Sequence, residues 1–323
     1  MNTHILINPD VAAILGALVA DAASLGLHWL YDPVRIAEIE KDAELVFRQP
    51  HAADYAESSG FFAHGSRQVG ESSGYGEVCL LMLKHLAQHG GDFNRAAYQL
   101  EFRTHFGPGG EYVGYIDSPT RQTLRILLSL DTASFPEISG ADDDQMPALA
   151  AIPALVATHH GAYDALMQRV KEVVRITNNN EIAVSAACCA ATALQGILSG
   201  KSMTQALTDA LAVAGEVLKP TLEQALAMAA LDSLSAAKSF GSACHVTEGL
   251  PLVFHIARHA PDYTTAIKAN IRAGGDSCGR AIMLGALVAA HQAKQQNLAS
   301  SIPLYWLARF RKLAIAAEAC ERI

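Results

Sequence analysis

Little of the sequence is charged, and no run of Lys and Arg interrupts it. Only 17% of the 323 residues are Asp, Glu, Lys or Arg, and the formal charge of -8 with a pI near 5.9 argues against a nucleic-acid or anionic-membrane surface. Its six cysteines, Cys79, Cys188, Cys189, Cys244, Cys278 and Cys320, show no C-x-x-C spacing. A zinc site and a disulfide framework are therefore not expected, and reduced thiols in a cytoplasmic protein are. The apolar run Val11 to Ala23 has no basic flank before it, contains Asp21 and is short for a bilayer span, so it reads as a buried helix with Asp10 as candidate cap. Strand-like alternation is scarce, and no stretch reads as a domain linker.

What is present is helical periodicity. Apolar residues recur at three and four places in 78–86, 96–106, 120–130, 148–158, 162–176, 182–198 and 203–218, and again in 246–257, 263–271, 280–293 and 303–320. Alanine is abundant, which favours helix by propensity. The expected fold is all-α, a single domain over residues 1–323.

Three irregular stretches interrupt the pattern. Arg48 to Ser73 is a long His-, Ser- and Gly-rich excursion of a kind uncommon without a role. Phe106 to Tyr115 is a glycine-rich segment fit for a lid, with Tyr115 available to stack on a ring. Asp131 to Pro147 holds Asp142-Asp143-Asp144, a run that reads first as a solvated loop. Asp117 reads first as a helix cap. The densest chemistry lies in Asn270-Ile-Arg-Ala-Gly-Gly-Asp-Ser-Cys-Gly-Arg280, where two glycines stop one helix and Asp276-Ser277 opens another.

Four segments, in order, resemble the signatures of the ADP-ribosylglycohydrolase superfamily, all-helical enzymes that bind ADP-ribose over a pair of magnesium ions. Gly16-Ala-Leu-Val-Ala-Asp-Ala-Ala-Ser-Leu-Gly26 is similar to the opening G-A-x-x-G-D-A-x-G. Tyr75-Gly-Glu-Val-Cys79 stands in the place of Y-T-D-D-T. Val174-Arg-Ile-Thr-Asn178 resembles R-x-T-H, with Asn178 at the His position, and Gly274-Gly-Asp-Ser-Cys-Gly279 resembles G-G-D-T-D-T. Within the superfamily the substitutions, with Leu27-His28-Trp29 among them, are most like those of the J-type crystallin branch.

The departures decide what the resemblance implies. Gly76, Glu77 and Val78 replace the first Thr and both Asp of one motif, His28 replaces a Glu, and Cys278 and Gly279 replace the second Asp and the Thr of another. Glu77 and Asp276 remain as the expected catalytic and metal-binding carboxylates. Two carboxylates do not balance two divalent cations, so the resemblance leaves at most one Mg2+ and no dinuclear centre. Arg280, one turn after Asp276, is expected to pair with Asp276 or Glu77 and supply the missing positive charge. Helix starts near Gly74 and Asp276 are expected to aim free amides at an anion. Cys278 and His28 are expected to form a thiol–imidazole pair, with His28 as proton shuttle. Asp21, Tyr115, Asn178, Gly275 and Arg280 are the expected ligand contacts. The implied activity is hydrolysis of an ADP-ribosyl or related ribosyl linkage on a small-molecule or ADP-ribosylated substrate. An inactive ADP-ribose-binding or crystallin-like protein, or a Cys-dependent hydrolase, are the alternatives.

Overall fold

Asn8, not Asp10, starts the first helix: its side chain accepts from the amides of Asp10 and Val11, and Pro9 takes a first-turn position where no amide is needed. In the computed structural model, which describes residues 8–323, this helix (Pro9–Ser24) is the central strut. It packs along the Ser277–Lys294 helix, and glycines set the closeness of the pair. A Cβ on Gly16 would lie 2.4 Å from the Gly285 carbonyl oxygen, and one on Gly285 would lie 2.2 Å from that of Gly16. The Tyr263 hydroxyl donates to the Gly16 carbonyl at 2.6 Å and closes the same junction.

Around this pair the described residues form seventeen α-helices and no strand, with three isolated β-bridges. A continuous apolar cluster runs from Ala12 to Cys320. The 19-residue segment Pro9–Leu27 and the helix Glu181–Leu198 have the length and apolarity to cross a membrane, so the first is longer than its sequence pattern implied. They lie 89% and 67% buried within the fold and serve as core helices.

Several expected helices are broken where local chemistry requires it. The 148–158 pattern divides into Pro147–Ala150 and Ile152–Ala157, with Pro153 in the first turn of the second. The 203–218 pattern stops at Ala210, and a new helix starts at Gly215, whose φ of 69° is left-handed. The 303–320 pattern becomes Leu304–Arg309 and Leu313–Cys320, leaving Lys312 at the corner between them. Helices Pro33–Asp42 and Ser233–Phe240 had no counterpart in the apolar pattern. Each is short and has an Asp cap.

Candidate functional site

The site forms where the Gly74–Gln88 helix begins beside the first helix and the start of Ser277–Lys294. Asp21, fully buried, accepts from the Ser73 amide at 2.9 Å and from the Ser73 hydroxyl. Gly76 makes this approach possible: a Cβ there would stand 2.1 Å from Asp21 Oδ2. Any side chain at 76 would displace the carboxylate. Burial raises the Asp21 pKa to about 7, against the opposing pull of the Ser73 hydrogen bonds.

One turn further on, Glu77 is held by Lys312, His105 and Arg67. Lys312 Nζ lies 2.8 and 2.6 Å from its two carboxylate oxygens, His105 Nε2 is 2.9 Å from Oε2, and an Arg67 nitrogen is 3.5 Å from Oε1. Burial opposes ionisation, yet the hydrogen bonds and charges of His105 and Lys312 outweigh it and hold Glu77 below the usual carboxylate range. Lys312 had no signal in the sequence. It lies 235 residues from Glu77, outside any motif, and reaches the site through the corner described above.

Asp276 caps the Ser277–Lys294 helix, accepting from the Gly279 amide at 3.0 Å, and receives the Tyr75 hydroxyl at 3.0 Å. Burial lifts its pKa to about 6 despite the Arg280 charge and these two donors. Arg280 forms no ion pair with Asp276 or Glu77, contrary to expectation, although its charge lowers the Asp276 pKa. Its fully buried guanidinium donates to Asn270 Oδ1 at 2.8 Å and to the carbonyls of Asn270, Ser242 and Gly274. It therefore braces the glycine turn with four of its five N–H groups. Gly275 is likewise occupied: its amide donates to the Leu30 carbonyl, its carbonyl accepts from the Trp29 amide, and a Cβ would lie 2.1 Å from the Ser242 carbonyl oxygen.

The thiol–imidazole pair is not formed. The Cys278 backbone amide, rather than its thiol, donates to His28 Nδ1 at 3.0 Å, while the thiol points to the Asp21 carbonyl oxygen at 3.6 Å. Burial, followed by the Asp21 and Asp276 charges, pushes the thiol well above its usual pKa. Burial and the neighbouring charges of His64 and Arg280 push His28 well below the usual imidazole range. A thiol held protonated beside an imidazole held neutral is not an activated nucleophile, and His28 is not a ready proton carrier near neutral pH. At the start of the Ser277–Lys294 helix the amides are also taken, Ser277 by the Gly275 carbonyl, Cys278 by His28 and Gly279 by Asp276, so this end offers no free anion cradle.

A cleft of about 240 Å³ opens to the surface nearby, lined in part by Tyr31 and Cys244, on which the Asp276 charge acts. Trp29, Tyr31, Phe61 and Tyr115 form its walls, and Asp117, Ser118, Gln145 and Cys244 complete it. Trp29 meets Tyr115 edge-on at 4.8 Å between centroids, and Phe61 lies 5.8 Å from Trp29 and 5.7 Å from Tyr115. Trp29 has a φ of 65°, a left-handed conformation costly for a bulky residue, and its amide and carbonyl are fixed by Gly275 and Phe61. The long 48–73 excursion thus supplies one wall through Phe61, and the 106–115 segment supplies another through Tyr115. Asn178 does not reach the cleft. Its amide group donates to the carbonyls of Asp143 at 2.9 Å and Gln145 at 3.3 Å, positioning the loop that carries Gln145.

A magnesium pair does not fit these residues. Every inner carboxylate already accepts protein donors: Asp21 from Ser73, Asp276 from Tyr75 and Gly279, Glu77 from Lys312 and His105. Lys312 and Arg67 stand against Glu77, where a divalent cation would meet like charge. A single ion shared by Glu77 and Asp276 meets the same obstacle. One other group, His85, His89 and Glu101, has metal-like proximity. His85 Nε2 accepts the Asn94 amide at 3.1 Å, which places the imidazole proton on Nδ1 facing Glu101 at 2.9 Å. That tautomer makes the group a clamp between helices rather than a metal site.

Comparison with known proteins agrees with this scaffold. Residues 10–323 match the ADP-ribosylglycohydrolase family. Crystallin J1A of Tripedalia cystophora is 31% identical over 313 residues, covering 92% of this chain and 90% of the crystallin, and crystallin J1B of the same animal is 28% identical over the same length. A solved structure described as an ADP-ribosylglycohydrolase-related protein complex superposes with a TM-score of 0.70 at 16% identity, covering 99% of this chain and 98% of that one, a likeness of fold. With its motifs in order and the match extending through the C-terminal corner that carries Lys312, the chain belongs to the ADP-ribosylglycohydrolase family.

Proposed function

We propose that this protein is a metal-independent, small-molecule-binding member of its family, in which protein cations have replaced the magnesium ions and the aromatic cleft is the ligand site. The observation that carries this reading is the clamp of Lys312, His105 and Arg67 on Glu77. An internal ammonium stands against both carboxylate oxygens, where a Lewis acid would have to bind. The absence of an activated Cys278–His28 pair argues in the same direction. The test is calorimetric titration with Mg2+ alongside assays of ADP-ribose release from ADP-ribosylated arginine and serine, with and without the metal. No Mg2+ heat and no release are expected. Magnesium-dependent release would overturn the proposal.

A second reading, hydrolysis of a ribosyl linkage without metal, is favoured by one feature. Asp276 holds its proton up to about pH 6, the range of a general acid for a departing group, and its charge acts on Tyr31 and Cys244 of the cleft wall. Metal-free turnover that is lost in Asp276→Asn would establish it. Turnover unaffected by that change would remove Asp276 from the mechanism.

A further inference from the structure

Resting on the ligand-binding reading above, the charge and shape of the cleft assign it a ligand class: we infer that it receives a small alkylated ammonium cation. The walls are aromatic on several sides, and the rings meet at steep angles, with Trp29 and Tyr115 at 83° and Phe61 and Tyr115 at 73°. The faces of such rings carry the negative part of the quadrupole and attract a cation. No Lys or Arg lines the cleft; its charged side chain is Asp117.

The surroundings have the same sign. The Asp276 charge acts on Tyr31 and Cys244, two lining residues, and Asp143 acts on Cys244 and Asp117. Arg280 is the nearby buried cation, and four protein acceptors surround it. His28 and His64, stacked behind Trp29, are pushed down by burial, His64 to about 4, so neither adds positive charge at neutral pH. An anionic diphosphate entering this cleft would find no lining Lys or Arg and a carboxylate, Asp117. Size points the same way, since about 240 Å³ is below the roughly 300 to 1,000 Å³ typical of sites for drug-sized ligands and suits a compact head group. Phe61 stands 54% exposed at the lip, a large apolar side chain that a bound alkyl group would cover.

Choline and tetramethylammonium are the probes, titrated by calorimetry and by Trp29 fluorescence on the full chain, with 3,3-dimethylbutan-1-ol as the uncharged match to choline. Saturable binding of both cations is expected, with choline about tenfold tighter than the alcohol, the difference that cation–π contact and the carboxylates supply. Phe61→Ala and Tyr115→Ala should each weaken choline binding about fivefold. Asp117→Asn, which keeps a capping oxygen for the helix that follows, should weaken it by a similar factor. Equal affinity for choline and the alcohol, choline binding indifferent to these three changes, or tighter occupation of the cleft by ADP-ribose would each overturn the assignment. So would the lack of saturable binding by either cation. That last result, with no ADP-ribose release, would leave the metal-independent reading intact and remove only the cation.

Discussion

Lys312 and Glu77 form the contact on which the chemistry of the site turns. The Glu77 side chain is fully enclosed while that of Lys312 retains 26% exposure, so the pair is stronger than a surface ion pair and weaker than a wholly buried one. Replacing Lys312 by Met is expected to cost about 2 kcal/mol in urea unfolding, because a buried carboxylate keeps only His105 and the more distant Arg67. Glu77→Gln combined with Lys312→Met should be less damaging than the sum of the two single changes, by about 1 kcal/mol or more, the coupling that a double-mutant cycle reads. Additive losses would show that the ammonium does not serve Glu77. Tyr75→Phe leaves Asp276 with one donor fewer and should lower stability by about 1 kcal/mol, more at pH 8 than at pH 5 because the missing bond serves the ionised form. These side chains differed greatly in legibility. Glu77 and Asp276 stood at recognisable motif positions, whereas Lys312, His105 and Arg67 converge from three separate segments without a common spacing. Arg280 misled for a related reason: one helical turn predicts adjacency to Asp276, but its long side chain turned instead toward the carbonyls of the glycine loop.

Among the helices, the crossing of Pro9–Ser24 with Ser277–Lys294 positions both halves of the site, carrying Asp21 on one member and the Asp276 cap on the other. Small residues at the contact were visible as the Ala and Gly content of both segments, and the 3.6-residue periodicity identified most of the remaining helices. The short helices Pro33–Asp42 and Ser233–Phe240 were not visible, because so few residues seldom display a full apolar stripe. The crossing makes a direct prediction. Gly16→Ala places a methyl 2.5 Å from Ala289 Cβ as well as against the Gly285 carbonyl, and Gly285→Ala meets Ala20 Cβ at 2.6 Å. Neither obstacle is a flexible side-chain tip, so the helices must separate. Each change should cost about 3 kcal/mol and lower the thermal midpoint by several degrees, whereas alanine at the open Gly200 turn should cost less and only through its φ of 95°. A Gly16→Ala protein as stable as the original would mean that the two helices are not locked at this distance.

At the scale of the whole chain, buried ionisable groups make stability depend on pH in two opposing directions. His28 and His64 have pKa values pushed below their unfolded value, so the stability they contribute is present above about pH 6.5 and is lost as pH falls toward the folded value, about 4 for His64. Asp21 and Asp276 are shifted the other way, to about 7 and about 6 from 3.8. Their folded forms hold a proton that the unfolded chain has released, so stability falls as pH rises from about 4 through those values. Between pH 4 and 6.5 the two effects largely offset each other, and above 6.5 the Asp21 effect acts together with that of His245, whose pKa its bond to Asp144 raises. Asp21→Asn isolates the former. An amide reproduces the protonated acid, accepting the Ser73 amide through oxygen and donating to the Ser73 hydroxyl through nitrogen, and it has no charge to desolvate. The original protein should therefore lose about 3 kcal/mol relative to Asp21→Asn between pH 5 and pH 8, measured as the difference between two urea-unfolding series. A difference independent of pH would show that Asp21 stays ionised throughout, and the inner carboxylates would then require a compensating cation beyond Lys312, Arg67 and Arg280.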